Sequence, residues 1–236
     1  MFILITGASR GIGAALAQSF SESGHQVLMV ARNKEKLQIV ADKCNQRAGE
    51  MVAHPIPFDL TEICDLEREF FSLITNLTNN IDAIVNGAGQ LIRKPFEKIT
   101  IDEARGVFET NLFAPAQLIR ILRPLLDQST LRHIVNITSM AGFQGSSKFS
   151  GLSYYSASKA ALGSLTECLA EEYMEFGIKV NALAIGAVQT EMLSEAFPGY
   201  EAELNADEMA EYLKWFTLEG HRFFNGKILP VSVTTP

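Results

Sequence analysis

The feature that most constrains this chain is a series of short apolar runs that do not alternate with polar residues: "FILIT", "QVLMVA", "MVAHPIPF", "IDAIVN", "LRHIVNI", "IKVNALAI" and "KILPVSV". A strand buried on one face reads apolar-polar-apolar, so a continuous Val/Ile/Leu run predicts burial on both faces. Segments of helical period separate the runs, at 12–23, 34–47, 62–77, 102–127 and 155–176. Parallel strands joined by helical crossovers give an α/β fold, a doubly wound Rossmann-type parallel sheet with helices on both faces. Thr100 and Glu103 form a Thr-x-x-Glu capping box, and Asn33 and Thr61 suit N-caps. Two stretches break the pattern after strands: the Gly/Ser-rich 142–153, and 191–204, where Pro198-Gly199 interrupts a helical period. Residues 1–236 read as one domain, with no internal repeat.

A net charge of -7 and the lack of any basic run argue against a nucleic-acid partner. The opening "MFILITGASRGIG" reaches glycines after a short apolar run, unlike a signal peptide or a membrane span, so a cytoplasmic protein without a membrane partner is expected. Cys44, Cys64 and Cys168 are far apart, which fits reduced thiols. His25, His54, His133 and His221 lack ligand spacing, so no metal site is expected.

"ITGASRGIG" follows the first run and opens a helix, the context a dinucleotide loop requires. Gly7 permits the turn, Gly11 the approach of a pyrophosphate, and Gly13 tight helix packing, while amides at the helix start face the anion. The spacing is G-x-x-x-G-x-G. An NAD site places an acid about twenty residues further on, but here "VARNK" puts Arg32 there, and Glu35 lies too far into its helix. With Arg10 on the loop, two guanidiniums can pair with a 2'-phosphate, so NADP(H) is preferred and NAD(H) stays open.

With these motifs in order, the chain resembles the short-chain dehydrogenase/reductase family in its compact form, from Ile3 to about Met192. "TGASRGIG" matches the family's cofactor loop, including Ser9 and Ile12; "FDLT" its adenine-side segment, with Asp59 and Leu60; "NGAG" its turn after the fourth strand, Asn86, Gly87, Ala88 and Gly89; and "YSASK" its Tyr-x-x-x-Lys motif. The resemblance implies a catalytic set of Asn111, Ser139, Tyr155 and Lys159, with Tyr155 and Lys159 also touching the cofactor and Thr190 holding its carboxamide. It implies hydride transfer between nicotinamide and a carbonyl or alcohol: Tyr155 moves the proton, Ser139 binds the oxygen, Lys159 holds the ribose, and Asn111 maintains a water path.

Helix geometry selects the same tyrosine, because residues four apart share a face while Tyr154 turns away. A free phenol near pKa 10 needs a shift of roughly three units, about 4 kcal/mol, to work near neutrality. An ammonium at about 4 Å in an effective dielectric near 20 supplies about that much. Thr138, neighbouring Ser139 on a strand, is expected to face the other way.

The chain departs from the family pattern at Gly87, commonly Asn, and at Ile185-Gly186, commonly Pro-Gly; the family's late Asp-Gly-Gly is also missing. A small substrate lid is expected at about 191–215, with Met192, Leu193, Phe197, Tyr200, Phe143 and Phe149 forming an apolar substrate pocket. Small and apolar residues on more than one face of 102–127 and 155–176 suggest a homodimer or homotetramer. The competing readings are a non-catalytic dinucleotide-binding regulator and a sugar-nucleotide epimerase, the latter normally needing a larger C-terminal domain.

Overall fold

The computed structural model describes residues 1–62 and 66–233. Among them, seven strands form one parallel sheet: β1 (Phe2–Thr6), β2 (Gln26–Ala31), β3 (Ala53–Pro57), β4 (Ala83–Asn86), β5 (His133–Ser139), β6 (Lys179–Ile185) and, last in the chain, β9 (Ile228–Val231). A two-stranded pair, β7 (Val188–Gln189) and β8 (Leu204–Asn205), stands apart. The sheet order is β3-β2-β1-β4-β5-β6-β9, so the winding reverses between β1 and β4, where Ile3 pairs with Ala83 and Thr6 with Asn86. A crevice opens beyond the carboxyl ends of the strands at such a reversal.

The unbroken apolar runs have the expected cause. In β1, Ile3 and Ile5 pack into one core with α1 (Gly11–Glu22) and α2 (Lys34–Ala48). Leu4 points into a second core against α5 (Ala114–Leu126) and α6 (Ser153–Glu172), which also takes in Ile74 of the short α3 (Phe71–Thr75). Each strand is therefore apolar on both faces.

The Asn33 side chain accepts from the Lys36 amide at 2.8 Å, and Thr100 and Glu103 cap α4 (Ile101–Phe108) reciprocally, as expected. The Thr61 amide and hydroxyl both donate to Asp59 Oδ1, at 3.0 and 2.8 Å. The amides that the expected Thr61 cap would take, and Cys64, lie at 63–65, outside the described residues.

The segment expected as a lid divides. α7 (Glu191–Ala196) stands at the crevice, but residues 206–215 belong to α8 (Ala206–Glu219), whose Met209, Ala210, Leu213 and Phe216 are buried in the core shared with α1. An Asn205–Glu208 capping box starts α8. Its second half is core, although Leu213 of α8 also borders the crevice from the core side.

Candidate active site

The C-terminal ends of β1 and β4 bring two glycine turns together. Gly7 has φ +76°, and a Cβ there would lie 2.9 Å from the Ala88 backbone. Thr6 Oγ1 locks this approach by accepting from the amides of Gly87 and Ala88, at 3.1 and 3.0 Å. The departure at Gly87 has a local reason, since a Cβ there would meet the Thr6 carbonyl oxygen at 2.9 Å. Beyond this junction lies a cleft of about 400 Å³. It is bordered by Gly7, Ser9, Arg10, Gly11, Ile12 and Gly13 from the first loop, Arg32 after β2, Asp59 and Leu60 after β3, and Gly87, Ala88 and Gly89 after β4. Tyr155, Lys159 and Thr190 border it as well.

Asn86 departs from expectation as a cleft residue. Its side chain is buried and donates to Asn136 Oδ1 at 2.8 Å, and Asn136 in turn donates to Thr166 Oγ1 at 2.9 Å, a polar chain joining β4, β5 and α6. A strand residue one position before the turn points into the core, a consequence of period-two alternation.

The catalytic candidates converge around the start of α6. A short turn at 140–142 connects β5 to the loop before α6, and a Cβ on Gly142 would lie 2.7 Å from the Ala160 amide nitrogen, so this turn packs directly on the helix. That contact seats Ser139, the last residue of β5, near enough to Tyr155 to act on its hydroxyl despite the long connection, while Ser139 Oγ accepts from the Ala141 amide at 3.2 Å. Tyr154 faces away and stacks on Phe96, with centroids 5.6 Å apart. Lys159 is buried, and its Nζ donates to the Ile137 carbonyl at 2.8 Å; a Cβ on Gly89 would lie 3.6 Å from it and 3.5 Å from Asn111 Oδ1.

Asn111 sits in a π-turn, 109–113, between α4 and α5; such bulges are frequent at functional sites. Its amide group is already committed, with Nδ2 donating to the Gln90 carbonyl and to Ser158 Oγ, both at 2.9 Å, and Oδ1 accepting from the Gln90 amide at 2.8 Å. The expected water path therefore cannot begin from an N–H of this side chain, which clamps the loop after β4 to α6 instead.

The electrostatics also differ from the simple lysine-phenol pair. Burial raises the Tyr155 hydroxyl above the usual phenol value, and the Ser139 hydrogen bond offsets only part of this. Burial likewise pulls Lys159 down to about 8. At neutral pH the pair is thus a protonated phenol beside an ammonium. Thr138, the runner-up hydroxyl, borders the cleft where Ser139 does not, its own hydroxyl buried and without a partner among the described residues.

Of the six residues expected to form an apolar pocket, Met192 borders the cleft. Phe149 borders a separate groove with Pro95 and Phe96, Tyr200 is exposed, and Phe197 lies under the Arg93 guanidinium at 4.3 Å. Lys36, Phe58 and Asn33, the last read from the sequence only as an N-cap, also border the cleft. Lys36 and Asn33 could have been found, since they fall at the helix start beside Arg32.

Residues 1–201 match the short chain dehydrogenase family. The chain belongs to that family. This short-chain dehydrogenase is 29% identical over 208 residues to an uncharacterized oxidoreductase of Staphylococcus aureus, with 88% of this chain and 87% of the relative covered. Among solved structures, a protein assigned as a short chain dehydrogenase of Escherichia coli, complexed with NADPH, superposes with a TM-score of 0.88 at 27% identity, covering 97% of this chain and 95% of that one. A 3-oxoacyl-[acyl-carrier protein] reductase of Brucella melitensis gives 0.84 at 28% identity, over 98% and 89% of the two chains. Pseudomonas aeruginosa RhlG in a complex with NADP gives 0.86 at 26%, over 98% and 94%. Among the described residues, no helix of the dehydrogenase is long and apolar enough to cross a membrane.

Proposed function

We propose that this short-chain dehydrogenase is an NADP(H)-dependent oxidoreductase acting on a carbonyl or alcohol substrate. The placement of Tyr155, with Ser139 behind it, and of Lys159 on a cleft that also carries Arg10 and Arg32 supports this reading. The fit to a dinucleotide rests on the cleft itself: helix α1 begins at Gly11 on its floor, so the first amides of a twelve-residue helix face the place of a pyrophosphate. Arg10, Arg32 and Lys36 form the cationic end for a 2'-phosphate, and Thr190, which abuts Gly11, borders the same cleft for the carboxamide.

A bound nicotinamide dinucleotide supplies or accepts the hydride. In the reducing direction, Tyr155 donates its phenolic proton to the substrate oxygen while Ser139 hydrogen-bonds the same oxygen. Burial keeps the phenol protonated until that moment. The Lys159 ammonium, anchored on the Ile137 carbonyl, stabilises the phenolate left behind and orients the ribose. Asn111 holds the Gln90 loop over this pair.

The test is oxidation of NADPH and NADH with a panel of ketones, aldehydes and quinones. Tyr155→Phe is expected to lose about two to four orders of magnitude in kcat while retaining NADPH affinity. NADPH binding with no carbonyl reduced by the wild type would instead favour a dinucleotide-binding regulator.

A further inference from the structure

Arg10, the loop guanidinium expected to receive the 2'-phosphate, is already engaged. Its Nη1 donates to Glu195 Oε1 at 2.6 Å and its Nη2 to Oε2 at 3.4 Å, a two-pronged pair across 185 residues. Glu195 belongs to α7, which otherwise reaches the loop only where Thr190 and Glu191 abut Gly11. The neighbouring residue is held separately: Arg93 donates to the Ala196 carbonyl at 3.0 Å and covers the Phe197 ring. Two arginines, one from the glycine loop and one from the segment after β4, thus hold the C-terminal end of one short helix.

The charges around Glu195 form a built anion site. Lys36 also attracts this carboxylate, and both cations border the cleft with Arg32. Arg32 itself is loosely held, 3.9 Å from Asp59. A carboxylate from α7 therefore holds Arg10, one of the three cations at the end where a phosphate dianion would sit. We propose that Glu195 is an internal competitor for the 2'-phosphate and a specificity-determining residue: a phosphorylated dinucleotide displaces it from Arg10 and removes one of the two restraints on the C-terminal end of α7, whereas an unphosphorylated one leaves the latch closed.

Magnitudes permit the exchange. Glu195 is 63% and Arg10 37% exposed at the side chain, and exposed ion pairs are weak. A phosphate near two negative charges, with three acceptor oxygens, outcompetes one carboxylate for a guanidinium fork. The 2'-hydroxyl of NAD(H) cannot. Because Arg93 still holds Ala196 next to it, α7 would loosen at that end instead of leaving altogether.

This inference rests on the dinucleotide reading of the cleft, so the experiment separates the two. Titration calorimetry is run on wild type and Glu195→Gln with four probes: NADPH, NADH, adenosine 2',5'-bisphosphate and AMP. Glu195→Gln is a surface isostere and should fold normally. Its affinity for NADPH and the bisphosphate is expected to rise about three- to tenfold, with NADH and AMP unchanged within about twofold. In wild type, amide hydrogen exchange across 191–197 should quicken with the bisphosphate and not with AMP; in Glu195→Gln it should be fast from the start. Equal gains for all four probes, or none, or unaltered exchange, would overturn the role of Glu195 alone. Failure of both dinucleotides to bind either protein would overturn the cleft reading as well.

Discussion

Lys159 shows how a single residue trades stability for chemistry. Its ammonium is buried with one carbonyl partner in the described structure, and burial holds its pKa near 8 in place of 10.5. The folded state thus disfavours the charge, by on the order of 3 kcal/mol at neutral pH. In sign, this penalty is complete below about pH 8, where both states carry the proton, and it fades as pH rises from about 8 to 10.5, where the unfolded chain holds more protons. Lys159→Met should therefore be more stable than wild type by about 1–3 kcal/mol near pH 7, with the gap closing toward pH 10.5, and it should be inactive. Urea denaturation at several pH values checks the stability. The same pKa sets the activity profile: carbonyl reduction should be flat below about pH 7 and decline above about pH 8 as the lysine loses its charge. A profile still level at pH 9 would remove the ammonium from the mechanism.

At the level of elements, α8 and the π-turn are where sequence and structure part. The strands were legible because burial on both faces leaves no polar position, and Asn33, Thr100 and Glu103 marked two helix starts. The Tyr155–Lys159 pair was legible for a similar reason, since i, i+4 spacing fixes a shared helix face whatever surrounds it. α8 was hidden by its composition: only Met209, Ala210, Leu213, Phe216 and Thr217 are buried, amid many charged neighbours, and the preceding Pro198-Gly199 suggested a loose cover. Asn111 was found, but its hydrogen-bond partners are distant in sequence and no local pattern announces a saturated amide. The pocket aromatics failed likewise, because exposure depends on tertiary packing and not on residue type. The division of 191–215 gives a test: Met209→Ala should cost about 2–5 kcal/mol of stability with little change in substrate KM, as a core truncation does. A lid residue would do the reverse. Denaturant midpoints and steady-state kinetics on the one variant decide between them.

Across the whole molecule, chemistry and acid stability sit at opposite ends of the sheet. The cleft lies beyond the carboxyl ends of the strands, whereas His133 begins β5 at the amino end, fully buried. Its Nδ1 donates to the Thr217 carbonyl at 2.8 Å, and its Nε2 accepts from Asn181 Nδ2 at 3.1 Å. One ring thereby joins α8, β5 and β6, while Asn181 extends the network to the Phe224 carbonyl. Both ring nitrogens are satisfied only in the neutral form, and burial lowers the pKa from 6.5 to about 4. Between these values the unfolded chain binds the proton and the folded one does not, so stability is lost as pH falls through that window. The loss approaches 3 kcal/mol, about 1.4 kcal/mol per pH unit. Burial also lowers His25, His54 and His221, adding to the same slope. His133→Gln keeps an amide donor near Thr217 but cannot titrate. Its stability between about pH 6.5 and pH 4 should fall less steeply than that of wild type by nearly one bound proton, measured from urea midpoints across the range. Parallel slopes would mean that the ring is charged in the fold, with the Asn181 amide no longer its donor.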